Sequence, residues 1–285
     1  RFPEAPSGLP LRLRVQVEGH VSAVSLEQYV LGAALSEVTP TGETDAAVTT
    51  IFEVQAIIAR TYAVAHLGRH AGEGFDLCDK THCQLYQPGR IQTSTFSSAA
   101  RRAVVATSRR ILRYNGRAAD APFHADCGGR TTTAASVWGG PALPYLPERA
   151  DNVAEGTHRS WQFAASNQEW STILRKDART DPGGPMRNVS VTKTDSSGRA
   201  AEVEITGAQI RRVTGSVLRS VVTADRGARS LMSTRFSVRR TSNGFRLEGT
   251  GFGHGVGLCQ VGAIARARRG DPVASILAHY YPGAK

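Results

Sequence analysis

The sequence predicts an α+β fold with mainly antiparallel strands and a few helices. Three observations carry this prediction. Residues 11–18 alternate between apolar and polar side chains, as a half-buried strand does. After about residue 101, similar stretches flank tight-turn signals, which is typical of hairpins. Helical apolar patterns occur near both ends of the chain, apart from the strands, and this separation favours α+β over alternating α/β.

The early segments predict one strand followed by two helices. SLEQYVLGAALSEV has a helical apolar stripe, which Ser25 can cap with Gln28 at the capping-box offset. A loop rich in Thr and Gly follows, and a second helix is expected at roughly 50–67.

The later segments predict three tight turns and a closing helix. Asn115-Gly116 and Asn243-Gly244 are strong turn signals, and a further hairpin is expected to turn at residues 195–198. DPVASILAHYYPG predicts a short helix that ends before Pro282.

Composition limits the possible partners. The 285 residues suffice for one large domain or two lobes, and no apolar run approaches the roughly 20 residues of a membrane helix. The formal net charge is +11, carried mostly by arginine, which suits nucleic acid or another anionic polymer. A general arginine preference of the genome explains the charge equally well. The arginines are scattered and no nucleic-acid-binding motif occurs, so we expect no nucleic-acid partner.

Glu37 is the first candidate for chemistry. It follows Val30 and Ala33 on the apolar stripe of the first helix. If that face is buried, desolvation raises the pKa of the carboxyl group, and a raised glutamate suits a general acid. Alternatively, Glu37 lies at the helix end and points to water. Arg60 also lies close to an apolar stripe, where it could pair with a carboxylate, hold an anionic substrate group, or simply pack.

DLCDKTHCQLY places Cys78, His82 and Cys83 within six positions. This spacing fits a zinc site whose fourth ligand is remote, with His66 and His70 as the upstream candidates. A Cys78–Cys83 disulfide is the alternative, and the spacing alone leaves both open.

Two glycine-rich stretches contain the remaining cysteines. FHADCGGR holds His124 and Cys127 before Gly128 and Gly129, a pair typical of a tight turn or of a wall close to a ligand. Cys127 could be a nucleophile paired with a histidine, a structural thiol, or a disulfide partner. GTGFGHGVGLCQVGA has glycine at every second position from 249 to 257, around one histidine and before Cys259. It does not fit G-x-G-x-x-G in any register, which excludes a dinucleotide loop.

Together these motifs resemble the stage II sporulation protein D family of lytic transglycosylases and amidase enhancers. SLEQYVLGAALSEV resembles the motif that ends in the family's catalytic glutamate, which corresponds to Glu37. The arginine of QAIIARTYA, Arg60, resembles a second motif position. DLCDKTHCQLY, GGRTTTAASVWGG, RSLMSTRFSV, GFGHGVGLCQVGA and ILAHYYPG follow in family order, so the resemblance covers nearly the whole chain.

The resemblance implies a fold, an activity and a location. It implies one catalytic domain over 1–285, with two lobes of approximately 1–150 and 151–285 around a central cleft. It implies cleavage of peptidoglycan between N-acetylmuramic acid and N-acetylglucosamine, preferably in strands without stem peptides, with a 1,6-anhydro product. Glu37 would be the single general acid/base. We therefore expect an extracytoplasmic protein, secreted or associated with the envelope, whose partners are glycan strands and, in the amidase-enhancer branch, a cell-wall amidase.

The resemblance also implies further site residues. The glycine-rich stretches would form a wall of the sugar-binding cleft, with the following substrate-binding residues: Arg60, Gly128, Gly129, His254 and Gln260. Some family members bind a structural zinc through two Cys and two His, which here correspond to the following four: His70, Cys78, His82 and Cys83. No cofactor is then required for the chemistry itself.

Three features depart from the family pattern. Extra residues from about 39 to 49 separate Glu37 from the second helix, and Glu53 stands where a lysine is common. Cys127 and Cys259 both stand where serines are common, which suggests that they are neighbours joined by a disulfide. The first two departures favour the alternative function, a non-catalytic wall-binding activator of an N-acetylmuramoyl-L-alanine amidase.

Overall fold

The computed structural model describes residues 9–154 and 159–285. It confirms the α+β class, with mostly antiparallel sheets. The described helices are α1 (Leu26–Glu37), α2 (Asp45–Ala65), α3 (Arg90–Thr93), α4 (Ser97–Ala106), α5 (Ala134–Trp138), α6 (Asn167–Leu174), α7 (Gly215–Arg226), α8 (Gln260–Arg268) and α9 (Val273–Tyr280), with 3-10 turns at Ala71–Glu73 and Asn152–Ala154. The described strands are β1 (Arg12–Val17), β2 (His20–Ser25), β3 (Leu77–Cys78), β4 (Arg113–Tyr114), β5 (Arg117–Ala118), β6 (Phe123–His124), β7 (Ser160–Ser166), β8 (Asn188–Thr194), β9 (Ala200–Thr206), β10 (Ile210–Val213), β11 (Phe236–Arg240), β12 (Gly244–Thr250) and β13 (Leu258–Cys259).

The chain forms two compact units whose boundaries differ from the expected lobes 1–150 and 151–285. The first unit consists of the chain up to Pro122 together with Ala263–Lys285, and the second unit is Phe123–Gly262. The boundary lies early because β6 pairs in parallel with β13, far along the chain. The chain returns to the first unit because α9 packs against α2. The predicted central cleft stays a prediction.

The first unit is built around α1 and α2. The Ser25 side chain caps α1 by accepting from the Gln28 backbone N–H at 3.2 Å, as predicted. Helix α2 begins at Asp45 rather than at the predicted Thr50, because the Thr44 side chain caps it by accepting from the Ala47 N–H. Part of the expected 39–49 loop is therefore helix. Strands β1 and β2 form a hairpin, and β3 joins β1 in parallel.

Strands were expected from about residue 101, and this prediction is wrong at that position. Residue 101 lies inside α4, whose Ala100, Ala103 and Val104 are buried while the flanking positions face solvent. The sequence pattern did not predict this short amphipathic helix, because its buried side chains are small and form only a weak apolar stripe. The strand pairing of β4 with β5 follows it, and the Asn115-Gly116 turn there is confirmed, with φ of 49° and 77°.

The second unit holds two three-stranded antiparallel sheets, ordered β10-β9-β8 and β11-β12-β7. The predicted hairpins at 195–198 and at Asn243-Gly244 are confirmed as the β8–β9 and β11–β12 connections. Both sheets pack on α6 and α7 around a core that includes Trp170, Val203 and Leu247. Among the described helices of both units, none combines the length and the hydropathy of a membrane span.

Candidate active site and metal-ligand clusters

Glu37 is the last residue of α1 and is half-buried. Its Oε1 accepts a hydrogen bond from the Leu85 backbone N–H at 2.7 Å. Burial raises the pKa of the Glu37 carboxyl group from 4.5 to about 7, against the opposing effect of the Leu85 hydrogen bond. Near neutral pH, this group can therefore both donate and accept a proton.

The segment after Cys83 runs along the end of α1 and holds Glu37 in place. The Gln84 side chain donates to the Tyr29 hydroxyl at 3.3 Å and to the Ala59 carbonyl at 3.1 Å. At the residue directly before Glu37, the Ser36 hydroxyl accepts from the Gln87 N–H at 2.9 Å. Helix α1 and this segment are thus tied at several points around the carboxyl group.

Gly32 explains how closely the segment approaches. A Cβ at Gly32 would lie 2.4 Å from Cε2 of Tyr86, which is far inside contact distance. The Tyr86 ring therefore packs directly on the backbone of α1, and it also contacts the Tyr29 ring at a centroid distance of 4.9 Å.

Arg60 is fully buried, and its geometry does not fit the expected substrate-binding role. Its Nε and Nη2 donate to the two carboxylate oxygens of Glu27 at 2.9 and 2.6 Å. Its Nη1 donates to the Arg110 carbonyl at 3.1 Å. The guanidinium group thus joins α1, α2 and the chain after α4, as the packing alternative predicted.

The four residues of the Cys/His signature come together as predicted. Donor atoms of His70, Cys78, His82 and Cys83 all lie within 4.8 Å of one another. His70 is the upstream histidine of this cluster, with Nε2 3.4 Å from Cys83 Sγ. The other upstream histidine, His66, lies elsewhere, with its Nε2 3.5 Å from Asp120 Oδ1.

This donor set fits a tetrahedral zinc ion. Two thiols and two imidazoles are the ligands of a closed structural site. The Nδ1 of His70 lies 2.6 Å from Glu73 Oε1, so a carboxylate orients this ring as it does around bound metal ions. Cys78 and Cys83 are free thiols, and the alternative Cys78–Cys83 disulfide is not formed.

The glycine-rich stretch of the second unit packs against protein, contrary to the expectation that its glycines admit a glycan. A Cβ at Gly253 would lie 2.7 Å from Cβ of His124, and one at Gly255 would lie 2.4 Å from the Arg199 guanidinium. Gly128 is buried, and a Cβ there would meet the Thr250 hydroxyl at 2.8 Å. The Gly129 carbonyl accepts from the Asp151 N–H at 2.9 Å. The glycines therefore allow two loops to pack closely.

His254 is held in a neutral form by two backbone hydrogen bonds. Its Nδ1 accepts from the Val256 N–H at 3.0 Å, so Nε2 carries the proton and donates to the Phe123 carbonyl at 3.0 Å. Burial lowers the pKa of His254 to about 3. Both ring nitrogens are engaged, which leaves only the ring face for a ligand. Gln260, the other candidate in this stretch, is buried at the start of α8.

Trp138 covers His254, and the sequence reading missed this residue. The two ring centroids lie 5.0 Å apart, and 55% of Trp138 is exposed. An exposed indole backed by a second ring is a flat surface on which a sugar can stack. The position of Trp138 inside the GGRTTTAASVWGG motif was the available signal.

Cys127 and Cys259 are neighbours, as predicted. Both are fully buried free thiols, and the Cys127 N–H donates to Cys259 Sγ at 3.2 Å. A donor nitrogen of His124 lies within 4.8 Å of both sulfur atoms. Complete burial does not suit the nucleophilic alternative for Cys127, because a nucleophile must meet its substrate.

Comparison with known proteins is consistent with the motifs. The profile of a family described as stage II sporulation protein matches residues 16–114, and one described as a domain of unknown function matches residues 151–257. The stage II sporulation protein D of Bacillus subtilis is 26% identical over 92% of this chain and 74% of that protein. The match over residues 16–114 and the similarity to this relative support the stage II sporulation protein D family for this chain.

Two further relatives are similar over most of the chain. An uncharacterized protein of Brachyspira hyodysenteriae is 29% identical over 92% of this chain and 67% of that protein. The amidase enhancer of Bacillus subtilis is 26% identical over 81% of this chain, which spans only 37% of that relative. The match to the stage II sporulation protein family, together with the amidase-enhancer relative, supports a role related to the cell wall.

The candidate residues of this chain fall in both units. Glu37, Arg60 and the four-ligand cluster belong to the first unit. Gly128, Gly129, His254, Gln260 and Trp138 belong to the second. Within the first unit, the structure brings together Glu37 and the segment that follows Cys83.

Proposed function

We propose that this protein is a peptidoglycan lytic transglycosylase, in which Glu37 is the single general acid/base. The observation that carries the proposal is a half-buried carboxyl group whose pKa lies about 7 and which a backbone N–H holds in one orientation. Such a group is protonated in about half of the molecules at neutral pH, so that both of its forms are available.

The chemistry needs both forms in turn. Protonated Glu37 donates its proton to the glycosidic oxygen while the bond from that oxygen to C1 of N-acetylmuramic acid breaks. The Glu37 carboxylate then takes the proton of the sugar's own C6 hydroxyl, whose oxygen bonds to C1. The 1,6-anhydro product forms, the acid is regenerated, and no water is consumed.

One carboxyl group is enough for this route. A hydrolase normally places a second carboxylate beside the bond, either to activate water or to act as the nucleophile. In the internal reaction the nucleophile is part of the substrate, so positioning replaces the second group. The Leu85 hydrogen bond and the ties around Tyr29 and Ser36 supply that positioning for Glu37.

A structural zinc ion is part of the proposal. His70, Cys78, His82 and Cys83 would hold it, and bound zinc would serve only to crosslink this part of the chain. Because Cys83 lies two residues before Leu85, the crosslink would restrain the amide that orients Glu37.

The second unit is proposed to bind the glycan strand through the exposed face of Trp138. Sugar rings stack on indole through their apolar C–H faces, and the His254 ring beneath prevents the indole from collapsing inward. The net charge of +11 attracts the lactyl carboxylates of muramic acid and other anionic wall polymers. Because peptidoglycan lies outside the cytoplasm, the proposed substrate implies an extracytoplasmic protein.

A second candidate function is a wall-binding activator of a cell-wall amidase. The amidase-enhancer relative favours it, and Trp138 would serve that function equally well. Only the transglycosylase function includes strand cleavage, and that cleavage needs Glu37.

Digestion of denuded glycan strands, followed by mass spectrometry of the products, tests the proposal. The wild type and the control Glu18→Gln, at an exposed glutamate of the same unit, should release anhydro-muramic ends, and Glu37→Gln should release them at least about 100-fold more slowly. Reducing ends would indicate hydrolysis instead. Strand binding without cleavage by any variant would leave the activator function.

A further inference from the structure

We propose that the second unit contains a zinc site of its own, formed by Cys127, Cys259 and His124 and separate from the Cys/His signature. The pairing of β6 with β13 brings Cys259 opposite His124, and the loop after β6 adds Cys127. The three donor atoms lie within 4.8 Å of one another, and all three residues are at least 96% buried.

The orientation of His124 is the observation that points to a ligand. Its Nδ1 lies 3.1 Å from the Val256 carbonyl, to which it donates, so Nε2 carries the lone pair. That Nε2 is buried and has no hydrogen-bond partner. Histidines that bind metal ions typically donate their other ring N–H to a backbone carbonyl in this way. A metal ion would satisfy the buried lone pair.

The spacing suits zinc. Tetrahedral zinc with Zn–S near 2.3 Å and Zn–N near 2.0 Å places its donor atoms about 3.5–3.8 Å apart. The three donors are within about 1 Å of that arrangement. Asp151 lies beside the three donors, with Oδ2 3.8 Å from Cys127 Sγ, and the fourth position is left to a water molecule. Thiolate and imidazole donors favour zinc over Mg²⁺ or Ca²⁺.

The surroundings also suit an anionic metal centre. Two thiolates, Zn²⁺ and the adjacent Asp151 carboxylate together carry a net charge of −1. The Arg199 guanidinium is buried beside them, with Nη2 donating to the Cys127 carbonyl at 2.8 Å and with Nε and Nη1 lacking hydrogen-bond partners. The Cys127 and Gly262 N–H groups donate to Cys259 Sγ at 3.2 and 3.4 Å, which stabilises a thiolate there.

A metal ion accounts for more of this geometry than the disulfide that the sequence suggested. A Cys127–Cys259 disulfide would leave the buried Nε2 of His124 unsatisfied, which costs about 1–3 kcal/mol. It would also remove the thiolates that the two N–H groups and Arg199 face. Zinc binding is redox-neutral: the two thiols become zinc-bound thiolates and release two protons to solvent.

The test counts zinc in the reduced protein by native mass spectrometry, after loading and removal of excess metal. The wild type should hold two zinc ions. Cys127→Ser/Cys259→Ser and Cys78→Ser/Cys83→Ser should each hold one, and circular dichroism checks that both fold. If Cys127→Ser/Cys259→Ser holds as much zinc as the wild type, the second site does not exist.

A measurement on the unmodified chain keeps the proposal falsifiable if the variants fail to fold. A Co²⁺ titration of the reduced wild type should raise the thiolate-to-metal charge-transfer absorbance until two equivalents are bound. A plateau at one equivalent would overturn the proposal. His124→Gln should lose one of the two ions to a chelator at least about 10-fold faster than the wild type does.

Discussion

The Leu85 backbone N–H donates to Oε1 of Glu37 at 2.7 Å. Leu85 lies two residues after Cys83, which is a member of the four-ligand cluster. The amide orients the carboxyl group, and a metal ion in the proposed four-ligand site would restrain the segment that carries the amide. In that proposal, metal binding near Cys83 and the orientation of Glu37 at the end of α1 are coupled.

The stability of Glu37→Gln relative to that of the wild type should increase as pH rises. The folded-state pKa is raised from 4.5 to about 7, so the favourable contribution is fully present below pH 4.5 and is lost as pH rises through 7. Glutamine stays neutral and avoids this loss. Urea unfolding at pH 5 and pH 8 should show the difference between variant and wild type growing by roughly 2–3 kcal/mol in favour of the variant. Glu53→Gln is the control, and an equal change in it would contradict the assignment to Glu37.

The rate of strand cleavage should fall above pH 7. The first proton transfer needs protonated Glu37, whose pKa is raised to about 7 by burial. Measured as kcat/KM on denuded strands, the alkaline limb should therefore bend near pH 7 and approach a tenfold decrease per pH unit. A rate that stays constant from pH 6 to pH 9 would remove Glu37 from the role of acid.

Loss of the four-ligand cluster should loosen the Leu85 amide before it unfolds the helices. Cys83→Ser removes one ligand, and a chelator removes a bound ion from the wild type. In both cases hydrogen exchange at Leu85 should accelerate at least about 10-fold, while the amide of Ile58, buried within α2, keeps its protection. Unchanged exchange at Leu85 would mean that the cluster does not restrain this segment.

Much of the fold could be predicted from the sequence because local signals were strong. The Ser25 cap, the alternation of β1 and the turn at Asn115-Gly116 each rest on neighbouring residues. The start of α2 was missed because residues 39–49 have the composition of a loop, although Thr44 caps the helix and Asp45 begins it. The unit boundary depends on the pairing of β6 with β13, which is a contact between distant residues.

The site was predictable in part for the same reason. The apolar stripe left open whether Glu37 is buried or points to water, and the structure makes it half-buried at the helix end. The Cys/His spacing left open a zinc site or a Cys78–Cys83 disulfide, and the structure brings the four expected donors together. The orientation of Glu37 by a backbone amide leaves no trace in residue type. For Arg60, the stripe indicated burial, and only the bidentate contact with Glu27 separates a packed residue from a substrate ligand.

Arg60→Met should reduce stability without weakening strand binding. The substitution keeps the length of the side chain and removes the bidentate partner of Glu27, along with donors to buried carbonyls. We expect the free energy of unfolding to fall by about 2 kcal/mol, because the backbone carbonyls of Arg110 and Val104 lose their donor while the partly exposed Glu27 carboxylate regains water. Arg101→Met, at an exposed position of α4, should change it by less than about 0.5 kcal/mol. Weaker strand binding by the folded variant, with unchanged stability, would restore the substrate-binding role.

Gly255→Ala should be far more destabilising than Gly140→Ala, although both glycines have nearly the same φ, 86° and 84°. A left-handed φ costs alanine roughly 1–2 kcal/mol at either position. A Cβ at Gly140 meets nothing within 4 Å, whereas one at Gly255 lies 2.4 Å from the buried Arg199 guanidinium. Urea unfolding should therefore show that Gly255→Ala loses at least about 2 kcal/mol more of the free energy of unfolding than Gly140→Ala does. The reason is that the hydrogen bond to the Cys127 carbonyl confines Arg199. Equal losses would mean that Arg199 moves aside freely and that the glycine run serves something other than close packing. If Gly255→Ala folds, strand affinity supplies the second readout. Close packing predicts unchanged affinity, and a glycan wall predicts weaker binding.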